Sequence, residues 1–326
     1  MMANNQKIGW VQKIIKTFGM YNIGLIISII VLMLGMSIKY EYFLTWENMK
    51  VMAMGFVLEA IMSIGMTIAI ISGGIDLSVS AVLPLTAILA GFLLNGGFPI
   101  LLAIIIPLVV ACIIGFMNGT MTNLLRVHPF IVTLATMLTL RGINLVITKG
   151  ATISGFPKTF CFIGQGELIG IPFPLILFAI LAIVIGYSLA NHRFFQQVYF
   201  IGGNPRAARM SGLKVNRFLV FVYVLSSFLA GVAGIVAAAQ YGSANNTFGQ
   251  MAELKVIAAV FIGGASLYGG FGTMFGTFLG ALFLAIIYNA FVMTGVSTYW
   301  QDVVVGSMLL IAVFLGAYLK KRGVRR

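Results

Sequence analysis

The sequence predicts an all-α polytopic membrane protein, with about ten transmembrane helices in one tightly packed bundle and both termini in the cytoplasm. Three observations predict it. Hydrophobic residues make up 60% of the chain and charged residues 8%, against roughly 25% charge in a soluble domain. The mean hydropathy is +1.07, so water could not solvate the surface of such a chain. The 20 Lys and Arg residues fall mostly between apolar runs, where orientation signals belong.

Residues 1–20 carry Lys7, Lys13 and Lys16 and read as a cytoplasmic tail. The apolar run that follows, Tyr21 to Ile38, ends in Ser37-Ile38-Lys39-Tyr40. A signal peptide would have a short core and an A-x-A cleavage site, so this longer run reads as an uncleaved first span. Nine further runs follow at roughly 51–71, 77–94, 99–123, 129–148, 173–190, 217–240, 252–268, 273–294 and 299–319. Residues 21–319 therefore read as one transmembrane domain, and 320–326 as a basic tail.

Orientation follows from the basic residues. Residues 191–217 hold His192, Arg193, Arg206, Arg209, Lys214 and Arg217 and no acid. The tail adds Lys320, Lys321, Arg322, Arg325 and Arg326. An even number of spans puts both clusters and the N-terminal lysines on the cytoplasmic side. Two longer loops fall on the opposite face: 39–50, and the Gly- and Pro-rich 149–172, which reads as irregular and as a docking rim.

Many of the 38 glycines lie inside runs. Gly272, Gly276 and Gly280 repeat every four residues, as do Ala111, Gly115 and Gly119. Small residues at that spacing share one helix face and let backbones approach closely. A short echo links Ser72–Ser78 with Ile262–Tyr268, each a Gly-Gly break between two runs on the same side.

Composition and motifs exclude several functions. The net charge of +13 would suggest nucleic acid in a soluble protein, but here the bases are orientation signals and no nucleic acid is expected. Cys112 and Cys161 form no motif. His128 and His192 lack zinc spacing, so no metal site is expected. No G-x-S-x-G occurs, and no G-x-x-x-x-G-K-S/T, so the chain is read as a non-enzyme without its own ATP cradle.

Polar groups inside the runs are the better lead, because a charge in hydrocarbon usually faces the bundle interior or a water-filled path. Glu59 and Arg141 are expected inside. Glu253, Lys255 and Asp302, at run mouths, are expected to reach the headgroups. Asp76 either caps the helix that follows it or lines a path. Asn118, Thr133, Thr136, Asn144 and Asn289 could meet a solute hydroxyl or bond helix to helix. The path candidates are Asp76, Asn118, Thr133, Asn144 and Asn289.

The most informative segment is the loop Phe200–Val215. Residues 205–211 predict a short basic helix: Asn204 caps it, Pro205 suits its first turn and Gly212 its stop. Such a helix either rests on anionic headgroups or fits a groove on a partner.

This loop, with its G-G-N-x-x-A-A-x-x-S-G-I/L pattern, resembles the cytoplasmic coupling loop of ribose-type ABC permeases. Ser72–Ser78 resembles that family's S-G-G-I-D-L-S. Pro129–Leu134 with Leu140-Arg141-Gly142 resembles F-I-A/V-T-L…L-R-G. Gly263–Gly270 resembles G-G-x-S-L-x-G-G, and Gly295–Gln301 the segment before the last span. The motifs run in order from about residue 45 to 319. Pro205-Arg206, where an acid is often found, and Ser80, where Gly is often found, depart from the pattern and bear on matching to one particular ATPase.

The resemblance implies the translocating subunit of a monosaccharide importer in the bacterial inner membrane. ATP and Mg would sit on a separate ATPase docked at Asn204, Arg206, Ala207, Ala208, Arg209, Ser211 and Gly212. An extracytoplasmic solute-binding protein would deliver the sugar, and a second permease copy or a related permease would complete the pathway within the membrane lipid. The alternative is an ion-coupled secondary transporter, which would favour paired membrane acids or His relays. A structural scaffold finds no support in the sequence.

Overall fold

A computed structural model describes residues 20–297 and 299–321. The tail lysines Lys7, Lys13 and Lys16, and Arg322, Arg325 and Arg326, lie outside the described residues. The fold is almost wholly helical. Its helices are α1 Met20–Lys39, α2 Trp46–Ile71, α3 Val79–Asn95, α4 Ile100–Leu124, α5 Pro129–Thr148, α6 Lys158–Gln165, α7 Phe173–Asn191, α8 Arg193–Gly203, α9 Pro205–Met210, α10 Val215–Tyr241, α11 Ala252–Ile262, α12 Met274–Thr294 and α13 Tyr299–Lys321.

Seven of these, α1, α2, α4, α5, α7, α10 and α12, are long and apolar enough to cross a membrane. The sequence is read as ten crossing runs. α3 is a shorter apolar helix of 17 residues, and α13, with 23 residues, covers the run 299–319 and is apolar over Tyr299–Ile311 among the described residues. The run 252–268 departs furthest. Its helix is α11, with 11 residues, about 16 Å long at 1.5 Å per residue. That is roughly half the hydrocarbon core. It stops because Gly263-Gly264 closes it, with Gly264 at φ +87° and Ala265 N–H returning to the Val260 carbonyl at 3.2 Å.

α2 closes the same way, with Gly73 at φ +88° and Gly74 N–H donating to the Ala69 carbonyl at 2.9 Å. The echo in the sequence is therefore an echo of helix ends, with Gly73 matching Gly264. The same closure also ends α3 at Gly97 and α9 at Gly212, so it does not by itself mark an internal repeat.

The bundle is built around α10, which packs against α4, α3, α2 and α6. Small residues make this possible. A Cβ on Gly119 of α4 would stand 2.7 Å from the Val220 Cα, and one on Gly115 as close to the Val224 Cα. Along a second seam, Gly276 and Gly280 of α12 face the carbonyls of Gly263 and Ala259 at the end of α11. Gly272 lies apart from that seam, against Ile71 and Ala265.

The loop 149–172 is not irregular. It forms β1 Ile153–Ser154, then α6, then a hairpin of β2 Glu167–Leu168 and β3 Ile171–Pro172. β1 pairs antiparallel with β4 Ser243–Ala244. Phe160 of α6 is fully buried, and Gly164 lies against the Ala239–Gln240 backbone. The apolar anchor and the close approach fold the segment onto the bundle, which composition alone did not reveal.

These contacts sort the connections into two faces. On one, Lys50 at the start of α2 pairs with Glu167 at 2.7 Å, and Asn95 at the end of α3 reaches the Ser154 carbonyl at 3.1 Å. On the other lie the end of α2, α8, α9 and the segment 263–273.

Candidate functional site

At the second face, three stretches of main chain converge. The Gly270 N–H donates to the Ile71 carbonyl at 2.8 Å. Gly202, near the end of α8, sits on the same carbonyl, and a Cβ there would also stand 2.7 Å from the Gly270 N. Tyr199, one turn earlier, donates its hydroxyl to the Gly272 carbonyl at 3.1 Å, and burial pushes that phenol up from its ordinary pKa. α8 is thus clamped to the end of α2 and to the segment leading into α12.

α9 extends directly from this junction. Asn204 accepts the Ala207 N–H at 3.0 Å through its side-chain oxygen, and Pro205 occupies the first turn. Gly212, at φ +82°, turns the chain away and lets the Leu213 N–H reach the Ala208 carbonyl at 3.1 Å. Arg206, Ala207, Arg209, Ser211 and Gly212 are exposed. Ala208 is buried under the helix. Met210, which the motif passes over as a variable position, is 90% exposed and gives the helix an apolar tip.

Mid-depth holds the charged groups. Glu59 lies 13 residues from one end of α2 and 12 from the other, about 20 and 18 Å along the axis. It pairs with Lys255 of α11 at 3.8 Å. Arg141 of α5 pairs with Glu253, two residues before Lys255 on α11, at 3.2 Å. Glu253 and Lys255 therefore do not extend to the headgroups as their position at a run mouth suggests. The short helix α11 starts deep in the bundle, and its first turn meets α2 and α5 there. The chain reaches that depth from β4 through non-helical residues 245–251, where Gly249 packs on the Ser80 carbonyl. Asp302 is exposed.

Four of the five path candidates come together at the α2–α3 break. Asp76 is fully buried and accepts the Ser78 N–H at 3.1 Å and the Ser78 hydroxyl. Asn118 of α4 donates to the Ser78 Oγ at 2.9 Å and accepts from Thr136 of α5 at 2.6 Å. Thr133 donates to the Ile75 carbonyl at 3.2 Å, and Asn144 to the Ala81 carbonyl at 3.2 Å. Thr133 and Asn144 lie 11 residues apart on α5, about 16 Å of helix, yet they meet backbone only six residues apart. The break is therefore stretched along α5. The network meets three of its backbone groups, the Ser78 N–H and the Ile75 and Ala81 carbonyls, in keeping with the need to satisfy freed polar groups inside a membrane protein.

Asn289 stands elsewhere. It exchanges two amide hydrogen bonds with Asn48, at 2.8 and 3.1 Å. It also lines a cavity of about 260 Å³ between α2, α11, α12 and the start of α13. Glu59 and Lys255 stand at the cavity's inner end.

Broken helices at mid-depth persist only where protein or a water-filled path surrounds them. That places the chain among the solute-moving membrane proteins, apart from simple anchors. The family described as a branched-chain amino acid transport system permease component matches residues 48–313, and the chain belongs to it. It is similar to the ribose import permease protein of Bacillus subtilis, 38% identical over 91% of this chain and 92% of that one. It is 35% identical to the D-allose transport system permease protein of Escherichia coli, over 92% of each. A probable ABC transporter permease protein of Sinorhizobium fredii is 33% identical over 90% of this chain and 89% of its own length. No solved structure matches. The chain is a multi-pass permease, and the bacterial inner membrane fits it.

Proposed function

We propose that this chain is the membrane subunit of an ABC importer that moves a monosaccharide inward, powered by ATP hydrolysis on a separate ATPase subunit. One observation carries the reading: an exposed, capped helix, α9, grows directly from a main-chain clamp on the end of α2 and on residues 270–272, which lead into α12. A push on such a helix reaches the bundle without passing through flexible linkers. The relatives named for ribose and D-allose support the substrate class. The family match favours ATP drive over an ion-coupled carrier. Glu59 and Glu253 at mid-depth each pair with a base, an arrangement unlike the paired acids of a proton-coupled carrier.

In this reading the chain crosses the membrane ten times, α11 and residues 245–251 together making one crossing, and both termini are cytoplasmic. Arg193, Arg206, Arg209 and Lys214 on the face of α9 support that sidedness. Residues 21–319 form the transmembrane domain. The ATPase, with its ATP and Mg, docks on Asn204, Arg206, Ala207, Arg209, Ser211 and Gly212, with Ala208 supporting them from beneath. A solute-binding protein docks on the opposite face. A second permease covers Thr247 and Gln250, which are exposed in one chain within the non-helical residues 245–251. Asn289 lines the path. Asp76, Asn118, Thr133 and Asn144 serve it by fixing the break. The site needs no metal or cofactor of its own.

The test is reconstitution with the partner ATPase and binding protein in proteoliposomes. ATP-dependent uptake of a monosaccharide is expected. Uptake that persists without any ATPase defeats the reading.

A further inference from the structure

The cavity beside Asn289 has features that packing alone does not require. It opens between α2, α11, α12 and the first turn of α13, on the side away from α9, and it deepens to Glu59 and Lys255 at mid-depth. Opposite charges meet there, so the inner end is electrically balanced. It offers carboxylate acceptors and ammonium donors and has no net attraction for an ion. Lys255 stands 5.0 Å over the Tyr288 ring, and Tyr288 stacks on Phe56 with centroids 6.2 Å apart and planes 29° apart. The wall therefore has an aromatic face as well as polar edges.

The Tyr288 hydroxyl is buried and has no hydrogen-bond partner among the described residues. A buried phenol without a partner is costly. Asn289 and Gln301 add amides nearer the mouth. The cavity, at about 260 Å³, falls just below the range of roughly 300 to 1,000 Å³ typical of pockets for drug-sized ligands. It therefore suits a solute of one ring.

We propose that this cavity is a solute-contacting station on the translocation path, built for a neutral polyhydroxylated ring, in which the Tyr288 hydroxyl takes one solute hydroxyl as its partner. The proposal rests on the importer reading above and adds to it the station and the residues that discriminate. Glu59 and Lys255 hold further hydroxyls from opposite sides, and Phe56 with Tyr288 covers an apolar ring face. An anionic or cationic solute would leave one of the paired charges repelled.

The experiment uses the complete transporter in proteoliposomes with saturating binding protein, preloaded with a transported sugar or with each of its mono-deoxy analogues. Tyr288→Phe removes one hydroxyl and little else. In the wild type, one analogue is expected to move about five-fold more slowly than the parent sugar, the worth of one hydrogen bond. In Tyr288→Phe that ratio is expected to fall to about one while the ratios for the other analogues stay. A merely structural defect would slow all sugars alike, and ratios unchanged in both Tyr288→Phe and Asn289→Ala overturn the proposal.

A second variant covers failure of the first to fold. Gly55 lines the cavity, and a Cβ there meets open space. In a background with Cys112 and Cys161 replaced by Ala, Gly55→Cys should react with a membrane-impermeant thiol reagent added from outside, and the reaction should block uptake. No labelling, or labelling without loss of uptake, overturns the station. Absence of ATP-driven sugar uptake in the wild type overturns the importer reading itself, so the two failures are distinguishable.

Discussion

The carbonyl oxygen of Ile71 accepts the N–H of Gly270 at 2.8 Å, joining the end of α2 to the segment that follows α11. Gly202 of α8 lies against the same carbonyl. A side chain at 202 would have to displace main chain on both neighbours, with no flexible tip able to give way. Gly202→Ala is therefore expected to cost about 1–3 kcal/mol, the range for overpacking. Thermal unfolding in detergent should fall accordingly. Solute-stimulated ATPase activity of the reconstituted complex should fall with it, because the clamp joins α9 to the bundle. A melting temperature equal to that of the wild type would show that the junction can relax.

The exposed side of α9 gives a separable result. Met210→Glu and Ala207→Glu change only exposed positions. They should abolish co-purification of the ATPase while the melting temperature stays within about 0.5 kcal/mol equivalent of wild type. Ala208→Glu buries a charge beneath the helix and should instead destabilise the loop. If Met210→Glu retains the ATPase at wild-type yield, docking lies elsewhere.

Removing the Asn204 cap should loosen α9 without unfolding the bundle. Asn204→Ala is expected to cost the helix about 1 kcal/mol, read as faster amide exchange across 205–211 and nowhere else. Asn204→Asp should restore most of the protection, because its side chain accepts the same bond.

The ion pairs at mid-depth should behave non-additively. Glu253 is 8% exposed at its side chain and Arg141 32%. Arg141→Met strands the buried carboxylate and should cost about 2–3 kcal/mol. The double variant Arg141→Met with Glu253→Gln should recover much of that loss. Additive losses would mean that the pair contributes nothing jointly.

Sidedness can be read with single thiols in the same cysteine-free background. Ile169, at the tip of the β2–β3 hairpin, and Met210, on α9, are both fully or nearly fully exposed. Ile169→Cys should react with an impermeant reagent only from outside the cell, and Met210→Cys only after the membrane is opened. The reverse pattern would invert the topology.

Much of this architecture was legible in the sequence because its signals are local. Apolar length marked the long helices, and Asn204, Pro205 and Gly212 marked α9. What escaped depends on depth and on partners far apart in the chain. The run 252–268 stays free of charge from Val256 across Gly263 to its end, so hydropathy could not show that its helix ends at Gly263. Glu253 and Lys255 looked like groups at a membrane edge because nothing local reveals that residues 245–251 carry α11 inward. Asp76, Asn118, Thr133 and Asn144 were each visible as polar groups in apolar surroundings. Their gathering on one break, with Asn289 left to another site, required the fold.

The junction at Ile71, Gly202 and Gly270 is made almost entirely of main chain, with Tyr199 the side chain that reinforces it. Apart from Gly202 and Gly270, which must stay without a side chain, and Tyr199, such a joint offers few side chains through which it can be retuned. Variation is left to the two extremities, the outer surface of α9 and the walls of the distant cavity. With α9 as the proposed seat of the ATPase and the cavity as the proposed solute station, a lineage could exchange its energy-supplying partner or its cargo one at a time, inheriting the same transmission between them.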